Sequence, residues 1–244
     1  MILLDCGNSK LKAQAWQAGQ LRNSYAGNYR VGWEQRLGLW LQGIPTGRCF
    51  LASVLDSARQ HQLEELLDRQ PGMEITRFVS EARTFDVMNA YPQPGKLGDD
   101  RWMALLAARE IDNGNCVVID AGSAITLDLL QDNGQHLGGA ILPGFNTSIE
   151  QFKSIFSYID FESPEIAQTG QPGCSTEAAI HIDYERGTNE ILPELVNRWI
   201  QLFNNEATLL LAGGDAERVQ RVLDQPCRIV PDLVFRGIHR LALQ

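Results

Sequence analysis

Two stretches of the chain repeat one pattern: Ile2-Leu3-Leu4-Asp5-Cys6-Gly7-Asn8-Ser9 and Val118-Ile119-Asp120-Ala121-Gly122-Ser123-Ala124-Ile125-Thr126. Each is a leucine-rich and β-branched run, of the kind that fills a central strand, ending in Asp-x-Gly and small polar residues. The glycine lets the main chain turn sharply against a ligand with no Cβ in the way. A carboxylate closing a buried strand is unfavourable unless it meets a cation or strong donors. Either aspartate alone is as readily a group bonded to its own turn. The shared context of the two points instead to related domains facing one phosphate chain.

The length of 244 residues accommodates two domains of the common size, about 100 to 150 residues each, expected here at 1–114 and 115–244. A hydrophobic content of 44% with 21% charged residues suits packed cores rather than disorder. The net charge of −9 provides no overall field for a nucleic-acid backbone, so no nucleic-acid partner is expected. Asp5 interrupts the apolar start, and no later apolar run approaches the roughly 18 residues of a membrane span. No membrane association and a cytoplasmic location are therefore expected. The five cysteines are scattered and never arranged as Cys-x-x-Cys, which supports neither a disulfide framework nor a zinc site.

Along the chain, residues 2–5 and 11–16 read as a β-hairpin with its tip at 7–9, because Leu11, Ala13 and Ala15 alternate with polar neighbours. A strand at 49–55 and a helix at 57–69 follow, the helix carrying Leu63, Leu66 and Leu67 on one face, then a strand at 75–79. The Pro- and Gly-rich segment 89–98 leads into Asp99-Asp100-Arg101, an acidic start to an alanine- and leucine-rich helix. Asp is favoured there because its carboxylate accepts unpaired N–H groups and opposes the positive helix end, so capping accounts for one of the pair. The second half repeats the plan: strands at 116–120 and 125–130, a turn at 134–139, and a helix near 148–156. A long helical stretch at 175–203, broken or kinked near Gly187 and Pro193, precedes a strand at 207–212 and Gly213-Gly214-Asp215-Ala216.

Several chemistries are excluded. The chain contains no Gly-x-x-x-x-Gly-Lys-Ser/Thr phosphate loop and no Gly-x-Gly-x-x-Gly. Ser9 and Ser175 lack the closing glycine of a nucleophile elbow, and His61, His136, His181 and His239 show no metal-ligand spacing. A kinase, by contrast, needs N–H donors around phosphates, oxygen ligands for a divalent cation and an acceptor hydroxyl aimed at phosphorus, and the sequence offers candidates for each.

The same residues resemble the type III pantothenate kinases, a branch of the actin-like ATPase superfamily built from two ribonuclease-H-like α/β domains with mixed sheets flanked by helices. The resemblance spans almost the whole chain. Residues 5–9 resemble the family's first phosphate motif, 120–126 the second, 138–144 its Gly-Gly-x-Ile-x-Pro-Gly element, and Gly98-Asp99-Asp100-Arg101 its Gly-x-Asp-Arg motif. Two positions depart: Ser123 where the family usually carries threonine, and Asp99 where it often carries a small residue.

The resemblance implies ATP-dependent phosphorylation of pantothenate, with Asp100 as general base. It implies a pantothenate pocket from Tyr91, Gly98, Asp99, Asp100, Arg101 and Thr176, and ATP contacts from Asp5, Cys6, Gly7, Asn8, Ser9, Lys10, Leu11, Lys12 and Ser123. Asp120 matches the monovalent-cation ligand, for potassium or ammonium, and Asp5 is placed for magnesium, directly or through water. A homodimer is also implied. The paired Asp-x-Gly turns belong to the whole superfamily, so a sugar kinase or an exopolyphosphatase is the nearest alternative. A non-catalytic regulator like the Bvg accessory factor is the alternative from another class.

Overall fold

The computed structural model describes residues 1–45, 47–155 and 174–244; the side chains of 148, 149, 152 and 176–188 lie outside the description. The chain divides into two compact units, one formed by Met1–Asn113, Asn133–Gly138 and Asp232–Gln244, the other by Gly114–Asp132 and Gly139–Pro231.

In the first unit, β1 (Ile2–Cys6) and β2 (Lys10–Gln17) form the expected hairpin, with Asp5 opposite Lys12 and Cys6 opposite Leu11. The outer strand β3 (Gln20–Asn28) pairs antiparallel with β2, and α1 (Trp33–Gln42) follows it. On the other side of β1 lie β4 (Arg48–Ser53), parallel to it, and β5 (Glu74–Phe78), parallel to β4, with α2 (Ser57–Asp68) between them in sequence. The sheet order is thus β3-β2-β1-β4-β5. A short hairpin, β6 (Arg83–Thr84) and β7 (Val87–Met88), precedes α3 (Asp99–Ile111).

Every residue of β1 is buried, so both faces of this central strand are covered and its sequence is continuously apolar rather than alternating. Ile2, Leu4 and Cys6 share one face because strand side chains alternate, and they pack with Trp33, Leu37 and Leu41 of α1 and Leu63 and Leu67 of α2. The spacing of Leu37 and Leu41, and of Leu63 and Leu67, is the one-turn repeat that keeps side chains on one helix face. α2 begins as its sequence anticipates, the Asp56 carboxylate accepting the Arg59 N–H at 2.9 Å.

The second unit repeats the arrangement. Central β8 (Cys116–Ala121) pairs antiparallel with β9 (Ala124–Leu130), which is followed by β10 (His136–Pro143) and α4 (Phe145–Ile155). After α5 (Thr176–Gln201), strand β11 (Thr208–Ala212) lies parallel to β8, and β12 (Cys227–Ile229) lies parallel to β11 after α6 (Ala216–Val222). The order β10-β9-β8-β11-β12 reproduces that of the first sheet, strand for strand. The core joins Val117 and Ile119 of β8 to Leu192, Val196 and Ile200 of α5.

Some local expectations are corrected. The segment 134–139 is not all turn: Gly134, at φ +84°, completes the turn, and β10 starts at His136 and runs through Gly138 and Gly139. Two consecutive glycines read as a turn in sequence because nothing there reveals the neighbouring strand that holds them extended. α5 is assigned without interruption through Gly187 and Pro193. Phe156, the expected end of the preceding helix, lies outside the described residues. The last helix, α7 (Leu233–Ala242), belongs to the first unit, where it packs on α3.

The α3 and α7 contact is close enough to demand a glycine. A Cβ built at Gly237 would overlap the carbonyl of Met103. In an isolated helix Gly→Ala stabilises by roughly 0.5–1 kcal/mol, but overpacking a rigid backbone contact costs about 1–3 kcal/mol. Gly237→Ala is therefore expected to lower the thermal unfolding midpoint, as followed by circular dichroism; an unchanged or raised midpoint would show that the two helices separate freely.

Candidate active site

In the first unit, the β1–β2 turn presents Asn8 and Ser9 to solvent, while Asp5, one residue inside the strand end, is 8% exposed. Its Oδ2 lies 3.8 Å from Lys12 Nζ on the paired strand. Lys10 shares the alternate-residue face of β2 with Lys12 and is exposed. Cys6 and Leu11 point into the core, so only their main chain is available to a ligand. Gly7 is needed for closeness rather than for an unusual φ, since a Cβ there would stand 3.2 Å from the Lys10 carbonyl.

The environment of this turn silences its thiol. Burial, then the charge of Asp5, holds Cys6 well above the ordinary thiol range, and burial pushes Cys49 on the adjoining strand up to about 12. Tyr29, the residue after β3, is likewise raised, first by burial and then by Cys6 and Asp5.

The acidic pair at the start of α3 splits into two different environments. Asp99 is buried, with Oδ1 accepting the Ser80 N–H at 2.9 Å and Oδ2 lying 3.4 Å from Arg77 Nη2. Arg77 also donates to the Ser53 carbonyl at 3.2 Å, which fastens the helix start to β4. Asp100 is half-buried, and its Oδ1 accepts the Arg101 N–H at 2.8 Å. A Cβ on Gly98 would come within 2.6 Å of that same oxygen, so glycine at 98 leaves room for the carboxylate.

Arg101 is buried and donates from Nη1 to the Tyr91 hydroxyl at 3.1 Å. The Tyr91 ring lies nearly parallel to the ring of His136, with centroids 6.2 Å apart. His136 is fully buried, and its Nδ1 accepts the Ala90 N–H at 3.4 Å. The segment carrying Tyr91 is thereby held by the start of β10. Tyr91, Gly98, Asp100 and Arg101, grouped in the sequence reading, lie near one another through the Arg101–Tyr91 and Asp100–Arg101 contacts, but that reading missed Arg77, Ser80 and His136, which hold the segments. Only the fold could reveal those three, because each reaches its partner from a different strand or loop.

In the second unit, Asp120 near the end of β8 is half-buried, opposite Thr126 and beside Ala212. Its turn is bound tightly to its neighbours. The Gly122 N–H donates to Ala124 O at 2.9 Å, and Ser123 O accepts both the Gly144 N–H at 3.0 Å and the Thr147 hydroxyl at 2.6 Å. Ala121 O accepts the Asp215 N–H at 3.0 Å. A Cβ at Gly144 would overlap the Gly122 carbonyl, and one at Gly213, where φ is +88°, would overlap the Ala121 carbonyl and crowd Asp120 Oδ1. Gly144 and Gly213 are therefore glycines so that two further segments can close on the second turn. Thr176 is the first residue of α5, and its side chain lies outside the described residues.

Two sheets of identical strand order, each with an Asp-x-Gly turn at the end of its central strand, define the actin-like fold. The profile of type III pantothenate kinases matches residues 1–197. The chain belongs to the type III pantothenate kinase family. A relative of that name from Pseudomonas paraeruginosa is 35% identical over 249 aligned positions, covering 98% of this chain and 97% of that protein. Among solved structures, a Campylobacter jejuni protein described as a Baf family transcriptional activator is 25% identical, with TM-score 0.57 and coverage of 100% of this chain and 98% of that one. MreB5 of Spiroplasma citri bound to ADP shares the fold at TM-score 0.51 and 10% identity, covering 98% and 95% of the two chains. Type III pantothenate kinases are ATP-dependent enzymes that phosphorylate pantothenate in coenzyme A synthesis. No helix among the described residues is long and apolar enough to cross a membrane.

The cysteines of this pantothenate kinase separate sharply by environment. Cys6, Cys49 and Cys116 are buried, Cys227 is partly covered and Cys174 is exposed. Thiol alkylation of the native enzyme followed by peptide mapping is expected to modify Cys174 first and to spare Cys6, Cys49 and Cys116 until denaturant is added. Early loss of the Cys6 peptide would mean that the first strand end opens readily to solvent.

Proposed function

We propose that Asp100 is the general base that takes the proton from the primary hydroxyl of pantothenate while that oxygen attacks the γ-phosphorus of ATP. ADP leaves and 4′-phosphopantothenate forms. One observation carries the assignment: of the two adjacent carboxylates at the start of α3, Asp99 is buried, whereas Asp100 is only partly buried, beside a glycine that makes room for it. Arg101 and Tyr91 bind the acceptor, with Gly98 shaping the floor of the pocket. Asp99 contributes by anchoring the helix start, its charge offset by Arg77. Thr176 is assigned a contact to the acceptor on the family's pattern.

The β1–β2 turn, residues 5–12, takes the phosphate chain, with N–H groups and the exposed Asn8, Ser9 and Lys10 as donors. Cys6 and Leu11 contribute through the main chain alone. Ser123 provides the corresponding contact from the second turn. Among the described residues no group of three or more His, Cys, Asp or Glu side chains is poised around one point. A single carboxylate, Asp5, suits magnesium, which keeps several waters and takes its remaining oxygens from phosphates. Asp120, at the end of β8, is assigned the monovalent cation, potassium or ammonium, on the family's pattern, with its carboxylate as the oxygen ligand. When bound, these cations supply positive charge against the phosphate oxygens. The enzyme acts as a homodimer in the cytoplasm.

Asp100→Asn is expected to lower turnover with pantothenate by about 10²–10⁴-fold, the usual worth of a positioned base, while ATP binding by calorimetry stays within a few-fold of the parent. Near-parental turnover would remove Asp100 from the role. Replacing potassium by sodium at constant ionic strength is expected to depress activity strongly, and Asp120→Asn to abolish the difference between the two salts. Equal rates in both salts would argue against a monovalent-cation site at Asp120.

A further inference from the structure

Beside the β1–β2 turn lies a cleft of about 380 Å³ lined by Asn8, Ser9, Asn28, Tyr29, Arg30 and Arg59. Strand pairing brings its walls together: Lys10, the first residue of β2, is opposite Asn28, the last of β3, so the chain leaving β3 passes next to the turn. Arg36 of α1 holds that segment in place by donating to the carbonyls of Val31 at 3.0 Å, Asn28 at 3.3 Å and Arg30 at 3.4 Å. Arg59, in the first turn of α2, closes the other side. Its Nη1 donates to the Asn8 carbonyl at 3.2 Å, and its guanidinium lies 5.1 Å from the centre of the Tyr29 ring.

The lining holds two guanidinium groups and no carboxylate. Asp56 pairs with Arg59 Nε at 3.6 Å, but its side chain is 56% exposed and lies outside the lining. Among the described residues the Arg30 guanidinium has no hydrogen bond, ion pair or ring contact. The Tyr29 hydroxyl is buried and also lacks a partner there. Two like charges beside an unsatisfied hydroxyl and an exposed glycine-containing turn form a concave site whose natural complement is an anion. The donors stand on several sides: arginines from two different segments, the Asn8, Ser9 and Asn28 side chains, and the phenol. That arrangement matches the tetrahedral oxygens of a phosphate better than the two coplanar oxygens of a carboxylate.

We propose that this cleft is a phosphate-binding subsite, in which Arg30 and Arg59 hold a phosphate group lying beyond the β1–β2 turn. The inference rests on the reading of that turn as a phosphate turn. The phosphate has two possible sources, the far end of the donor's own chain or a separate phosphorylated ligand, and the same chemistry serves both. Arg59 is also a positioning residue, because its bond to the Asn8 carbonyl ties the tip of the turn to α2.

The test is direct binding of inorganic phosphate and of tripolyphosphate to the full chain by calorimetry. Arg30→Ala is expected to weaken tripolyphosphate binding about tenfold, as loss of one charge-assisted contact does, with a further loss in Arg30→Ala/Arg59→Ala and partial recovery in Arg30→Lys. Arg22→Ala, at the other end of β3, is expected to change nothing. Because the Arg30 side chain has no partner to lose, its variant keeps the test valid even if Arg59→Ala unfolds. Phosphate binding that survives ADP but is displaced by ATP identifies the donor's terminal phosphate as the occupant; simultaneous binding of phosphate and ATP identifies a separate ligand. Affinity unchanged in both Arg30→Ala and the double variant would overturn the subsite. The same titration on Asp100→Asn reads binding without turnover, so failure of the subsite and failure of the catalytic assignment are distinguishable.

Discussion

A strand buried on both faces that ends in a charged group sets the terms for the whole molecule. β1 has no exposed residue, and Asp5 lies near its end with Lys12 Nζ 3.8 Å away on the paired strand. Desolvating a carboxylate is costly, and a long ion-pair contact such as that with Lys12 repays it only in part. The strand end therefore stays next to a polar turn, and that turn is built from glycine and small donors rather than bulky side chains. β8 carries the same constraint at Asp120, and its turn is held more tightly still, by Gly144 and Gly213 closing on it. Strand order and helix placement in both units serve to cover the faces of these central strands.

Placing two aspartates in succession at a helix start divides their labour by geometry alone. Successive residues on a helix differ by about 100° in direction, so Asp99 turns inward to Ser80 and Arg77 while Asp100 remains accessible. The extra negative charge of Asp99 is thus matched by a cation from β5 and does not accumulate beside Asp100. Arg101, the next residue, turns toward Tyr91, which His136 stacks against. Each of the three residues has a distinct partner, so the motif's contiguous spelling is a consequence of helix pitch.

Much of this was legible beforehand. The hairpin at the N-terminus, the leucine face of α2, the acidic start of α3 and the repeat at β8 all follow from local periodicity and turn chemistry, which act over a few residues. β3 and α1 were not legible: β3 is mostly exposed and polar, and its pairing with β2 supplies what its composition lacks. β10 was read partly as turn because of its glycines, although its neighbour in the sheet holds it extended. The placement of α7 on α3 depends on a glycine contact between segments more than a hundred residues apart, which no local signal encodes.

The amino-acid sequence by itself determined the two Asp-x-Gly strand ends and the Gly-x-Asp-Arg start of α3, because these are short-range patterns that need no partner from elsewhere in the chain. Tertiary structure alone decided which carboxylate of the acidic pair is buried and which is only partly so. It also decided that Cys6 and Leu11 offer only main chain, and that Arg30 and Arg59 meet beside the first turn. Those outcomes depend on burial and on partners arriving from other strands and helices, and such partners are chosen by packing rather than by neighbours in the chain.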